Sequence, residues 1–70
     1  MDENLIEAVR SQYQADMKDA VAKIGIEFRN PTKESVYQIR HLVDVFSRSK
    51  ESASYFEAIV KNLKGEDDEE

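Results

Sequence analysis

Gly25-Ile26-Glu27-Phe28-Arg29-Asn30-Pro31 is the stretch on which the reading of the fold turns. Glycine can take the left-handed conformation that ends a helix, and Ile26 can then fold back toward Val21 as the apolar partner of a Schellman motif. Asparagine is a favoured N-cap, and proline at the first helical position loses nothing because its missing N–H would have been unpaired. Residues 26–29 then read as a short connector whose two apolar side chains plug the end of a core.

Upstream, Ile6, Val9, Tyr13, Met17, Ala20 and Ile24 recur at spacings of three and four, with Leu5 and Val21 widening the stripe. That period predicts a long amphipathic helix from Asp2, its cap, to Ile24. Downstream, the pattern predicts a second helix from Pro31 to about Ser47, with Val36, Ile39, Leu42, Val43 and Phe46 on its buried face. Ser47-Arg48-Ser49-Lys50 is polar and rich in residues that bond their own backbone, so a turn is expected there. A third helix follows to about Lys64, with Tyr55, Phe56, Ile59, Val60 and Leu63 as its apolar face and Gly65 as its stop.

Three amphipathic helices with short connections pack most simply as a small all-α three-helix bundle, a long first helix with two shorter ones. The expected organisation is a single helical domain over 1–65 and a disordered acidic tail over 66–70, where Glu66-Asp67-Asp68-Glu69-Glu70 repel one another. A chain of 70 residues has room for one core only. Domains of this size often lean on disulfides, metals or self-association. Cysteine is absent and histidine occurs once, at His41, so homodimerisation is the prop left to complete the bundle. The first helix outruns the other two, and part of its stripe needs cover from elsewhere.

Charge narrows the function. The net charge of −5 disfavours general nucleic-acid binding, which draws on neutralised phosphates. Residues 29–51 nevertheless hold five bases against three acids, while 1–28 hold six acids against three bases and 52–70 six acids against two bases. The acidic start Met1-Asp2-Glu3 is unlike a basic secretory leader, so a cytoplasmic protein is expected.

The most unusual surface falls on the outer side of the second helix. Tyr37, His41, Val45 and Arg48 cluster there, with Arg40 and Asp44 beside them, and aromatic and arginine side chains are what binding hot spots favour. These residues predict a partner-binding face: Tyr37 as anchor, Arg40 and Arg48 pairing with carboxylates or phosphates. The resulting expectation is a small regulatory or adaptor module that binds another protein and performs no chemistry. The alternative is a DNA-associated regulator using the second and third helices as a helix-turn-helix, with Lys33, Arg40, Arg48 and Lys50 near phosphates. A third helix with Lys50, Lys61 and Lys64 as its only bases has little with which to read base edges. His41 and Asp44, three residues apart, could share a metal or a proton, but one pair makes no site, so no cofactor, metal or catalytic residue is expected. Ala8, Ala15 and Ala22 repeat every seven residues, a pattern that suits either a close-packing seam or inexpensive helical filler.

Overall fold

The computed structural model describes residues 1–68, with side chains as far as Gly65. It contains two helices, not three: α1 spans Glu3–Arg29 and α2 spans Ser35–Asp68, and they fold back on each other as one antiparallel hairpin. The expected three-helix bundle is therefore wrong in its count. Three expected breaks, at Gly25, Ser47–Lys50 and Gly65, do not form.

At Gly25 the helix continues, and no glycine among the described residues takes a positive φ. Glycine inside a helix costs only about 0.5–1 kcal/mol relative to alanine, which weakens a helix without ending it. Ile26 to Arg29 extend the period, and the Asn30 N–H closes the last turn on the Ile26 carbonyl at 2.9 Å. The true stop is Asn30-Pro31. A residue before proline is driven out of helical backbone angles, and Asn30 sits at φ −132°, ψ 69°.

Across Ser47–Lys50 there is no proline or glycine, only serines of middling helix propensity, and α2 runs straight through. Ser49 and Ser52 lie half-buried against α1. Their small side chains let the two helices approach, so packing overrides the local turn signal. Gly65 likewise fails to stop α2, which continues to Asp68. Of the acidic tail expected to be disordered, Glu69 and Glu70 lie outside the described residues.

The turn has its own chemistry. Thr32 takes the place assigned to Asn30: its Oγ1 accepts from the Glu34 N–H at 3.1 Å, and its own N–H donates to Ser35 Oγ at 2.8 Å. This reciprocal arrangement is a capping box closed by serine. Ser35 is buried, and its hydroxyl donates onward to Glu27 Oε1 at 2.9 Å, fastening the start of α2 to the last turns of α1. At the other end Asp2 caps α1 as expected, Oδ1 accepting from the Leu5 N–H at 3.0 Å.

The seam between the helices uses the expected stripe of α1. Ile6 and Ala20 are buried, and Val9, Tyr13, Met17 and Ile24 are half-buried. On α2 the residues facing them are Gln38, Ile39, Leu42, Val45, Phe46, Ser49, Ser52, Ala53, Phe56 and Val60. Tyr13 and Phe56 meet with ring centroids 6.2 Å apart, a tilted pair. Much of the rest of the expected core faces outward: Val36 is 72% exposed, Tyr55 68%, Ile59 55% and Val43 50%. A helix packed on one neighbour can bury only one narrow stripe, and residues on either side of it stay wet.

The hairpin measures 58 × 18 × 10 Å, one helix thick, with a radius of gyration of 16.5 Å. A compact chain of this length would have a radius of about 11 Å.

The glycine positions test the helix lengths directly. A Cβ added at Gly25 meets nothing closer than the Arg29 guanidinium at 3.2 Å, the free end of an exposed side chain, and at Gly65 it meets nothing within 4 Å. Gly25→Ala should therefore stabilise the fold by about 0.5–1 kcal/mol in chemical denaturation. A left-handed helix stop at Gly25 would make the same substitution destabilising.

Candidate functional site

Two grooves define the sides of the hairpin. Met17, Lys18, Val21 and Ala22 of α1 line one with Phe46 of α2, a nearly all-apolar hollow of about 330 Å³. Lys23, Ile26 and Glu27 line the other with Gln38, His41 and Leu42. Helical periodicity assigns the remaining exposed residues to these two flanks. Seven residues make two turns of a packed helix, so Phe28 joins Val21, and Val36 joins Val43 and Phe46. Eighteen residues make five turns, so Leu5 lies below Lys23, and Ile59 below His41.

The outcome is a diagonal distribution. The first flank is apolar in the half near the turn, through Met17, Val21, Phe28, Val36, Val43 and Phe46. Its open half is charged, through Glu7, Arg10, Glu57, Lys61 and Lys64. The second flank is mixed near the turn, where Ile26 and Leu42 stand among Lys23, Glu27, Gln38 and His41, and apolar at the open end, where Leu5, Val9, Tyr55, Ile59 and Leu63 gather. Leu5 is 63% exposed and Leu63 45%.

The residues singled out for partner binding sit at the margin of the second flank and on the back of α2. The Tyr37 and His41 rings stack with centroids 6.5 Å apart and planes within 5° of parallel. Together with Arg40 and Asp44 they line a shallow hollow on α2. Arg48 is exposed, further down the helix. Val45 does not join the outward cluster: it is half-buried against α1, because it sits on the stripe that α2 presents to its neighbour. The structure thus brings Tyr37, Arg40 and His41 together and separates Val45 from them. Ala8, Ala15 and Ala22 are exposed on α1, with no helix packed on them.

Sequence reasoning missed the apolar flanks. It assigned Val36, Val43, Tyr55, Ile59 and Leu63 to the core because their period is right. The visible signal was the width of each stripe, broader than one helix neighbour can cover.

Electrostatics fix the register of the open end. Arg10 donates from Nε to Glu57 Oε2 and from Nη2 to Glu57 Oε1, both at 2.7 Å, a two-pronged bond between α1 and α2. Arg10 also reaches Glu7 on its own helix at 2.9 Å. Lys64 Nζ lies 3.0 Å from Glu3 Oε1. The hydrogen bonds from Arg10 hold the Glu57 carboxyl below its usual value, against a smaller opposing effect of desolvation. Those to Glu57 and then Glu7 raise the guanidinium further above its ordinary range. Among the described residues no group of three or more His, Asp or Glu side chains gathers as metal ligands, and no helix is long and apolar enough to cross a membrane.

No protein family matches this chain, and neither curated proteins nor solved structures offer a significant match.

The Arg10–Glu57 pair sets a pH dependence. A carboxyl whose folded-state pKa is depressed adds stability above the unfolded value of about 4.3 and loses it as pH falls through the folded value. The pair is solvent-accessible, so salt screens it. Between pH 7 and pH 3 the melting temperature of Glu57→Gln should fall less than that of the parent chain, and 1 M salt should narrow the difference. Equal falls in both chains would remove the pair from the list of register-setting contacts.

Proposed function

We propose that this protein is an interaction module that works by occupancy, presenting the apolar flanks of a helical hairpin to other protein surfaces. The observation that carries this reading is the single layer. Two helices side by side bury one stripe each, and domains are ordinarily built of two or more layers around a core. Here eleven large hydrophobic residues among those described remain exposed, from Leu63 at 45% to Val36 at 72%. Scattered single apolar residues on a surface mean little, but contiguous apolar patches mark interaction sites. The two flank patches are contiguous in this sense, and each is bordered by charged residues, as the rim of a binding surface is.

The stacked Tyr37–His41 pair with Arg40 extends the polar margin of the second flank. In this reading it supplies directional contacts beside the apolar anchors Tyr55, Ile59 and Leu63, and Arg48 lies between the two groups along α2. Regulation or adaptor action follows from binding alone, with no chemistry on the hairpin. The helix-turn-helix alternative loses its turn, since Ser47–Lys50 are helical, and no observation favours it over protein binding.

Photo-reactive side chains placed at Val43, at Ile59 and at Ser11 in the living cell test this reading. Ser11 is exposed on α1, nine residues and so two and a half turns from buried Ala20, on the side turned away from α2; discrete protein adducts should arise from Val43 or Ile59 and not from Ser11. If all three positions give the same diffuse background, the flanks bind no protein and the proposal fails.

A further inference from the structure

We infer that the turn-proximal half of the first flank binds a second copy of this chain, with the two hairpins antiparallel and overlapping only over their turn halves. The inference rests on the interaction reading above and names the occupant of one of its two flanks. Three observations carry it.

The first is area. The chain exposes 5753 Å². A compact folded monomer of 8.1 kDa would expose roughly 4,500 Å² by the general scaling of surface with mass. The excess exceeds the roughly 800 Å² that each partner buries in an interface of standard size. A second layer over one flank is of the right scale to absorb it.

The second is shape. An isologous interface requires that the patch complement itself under a two-fold axis. Let the axis lie in the interface plane, crossing the hairpin at the level of Ala22 and Leu42. Each α1 then runs antiparallel over the partner copy's α1, and each α2 over its α2. Phe28, 70% exposed, stands six residues above that level, about 9 Å at the helical rise. The apolar hollow lined by Met17, Val21, Ala22 and Phe46 reaches from that level to Met17, five residues or about 7.5 Å below it. The two-fold rotation therefore brings the Phe28 ring of each copy to the Met17 end of the other copy's hollow. Val43 lies next to the axis and meets its own counterpart.

The third is charge. Residues 17–47, the turn half, carry five bases and four acids, whereas residues 1–16 with 48–68, the open half, carry nine acids and five bases. Antiparallel overlap of the turn halves joins two nearly neutral surfaces and sends the two acidic ends to opposite extremes of the dimer. A parallel dimer on the same flank would lay the acidic ends side by side, and like charges held close oppose association. The apolar patch at the open end of the second flank is not available for a symmetric pairing of this kind without the same repulsion.

The absence of cysteine makes the test direct, because each introduced thiol is unique. Val43→Cys, Lys61→Cys and Ile59→Cys are treated with a short bifunctional maleimide at micromolar concentration, and the solution mass of the parent and of Val43→Glu is measured by light scattering. Val43 marks the proposed axis. Lys61 lies five turns away on the same flank and would cross-link in a parallel dimer, and Ile59 marks the opposite flank. The expected result is efficient coupling through position 43, little through 61 or 59, a parent mass twice 8.1 kDa and a Val43→Glu mass half that of the parent. Preferential coupling at 61 or 59, or a parent that stays monomeric at every concentration, overturns the inference. Since Val43 is half exposed, Val43→Glu should keep its helicity by circular dichroism, and the cross-linking pattern judges the interface independently of that variant. Photo-adducts with a different protein in the monomeric case would leave the interaction reading standing while this one falls.

Discussion

Everything in this molecule follows from the chain being broken once, at Asn30-Pro31. Proline has no N–H to give and excludes helical angles from the residue before it, so the helix that began at Glu3 cannot pass. With no second break among the described residues, the remainder is one uninterrupted helix. A single break at that place makes two arms of comparable length, and the simplest way for two amphipathic arms to bury their stripes is against each other. The Thr32–Ser35 box and the Ser35–Glu27 bond then convert a mere interruption into a tight return, because they satisfy the Thr32 and Glu34 N–H groups just before α2 and anchor its first residue to α1.

From that return the seam is determined residue by residue. Small side chains meet midway, where Ala20 is almost wholly buried and Ser49, Ser52 and Ala53 face α1. Larger ones, Tyr13 with Phe56, and then Arg10 with Glu57, fill and close the open end. A seam with serines in it gains less from burial than one of leucines, since a hydroxyl removes little apolar area from water. The hairpin therefore keeps a narrow core and wide apolar flanks. It is this imbalance on which the proposed interaction role rests.

The flanks are not equivalent. Their apolar halves lie at opposite ends on opposite sides, and the acids crowd the open end while the turn half is close to neutral. In the proposed dimer one flank engages a second copy near the turn, which leaves Tyr55, Ile59 and Leu63 of the other uncovered. The charge asymmetry adds direction, favouring arrangements that keep the open ends apart.

Much of this was legible in the sequence and some was not, for identifiable reasons. The helical class, the Asp2 cap and the buried stripe of α1 were legible because each depends on local chemistry or on a period that any packing must respect. The number of helices was not. Gly25 and Ser47–Lys50 are compatible with both a turn and a continuous helix, and the choice between them is made by what packs alongside. The grouping of the residues expected to bind a partner was legible in part: Tyr37, Arg40 and His41 share an outer face by periodicity alone, whereas Val45 was drawn into the seam by the path of α2. Periodicity determines which residues share a side of a helix. Only the tertiary structure decides whether that side meets another helix or water, because burial depends on how many neighbours there are to cover it, and a hairpin supplies just one.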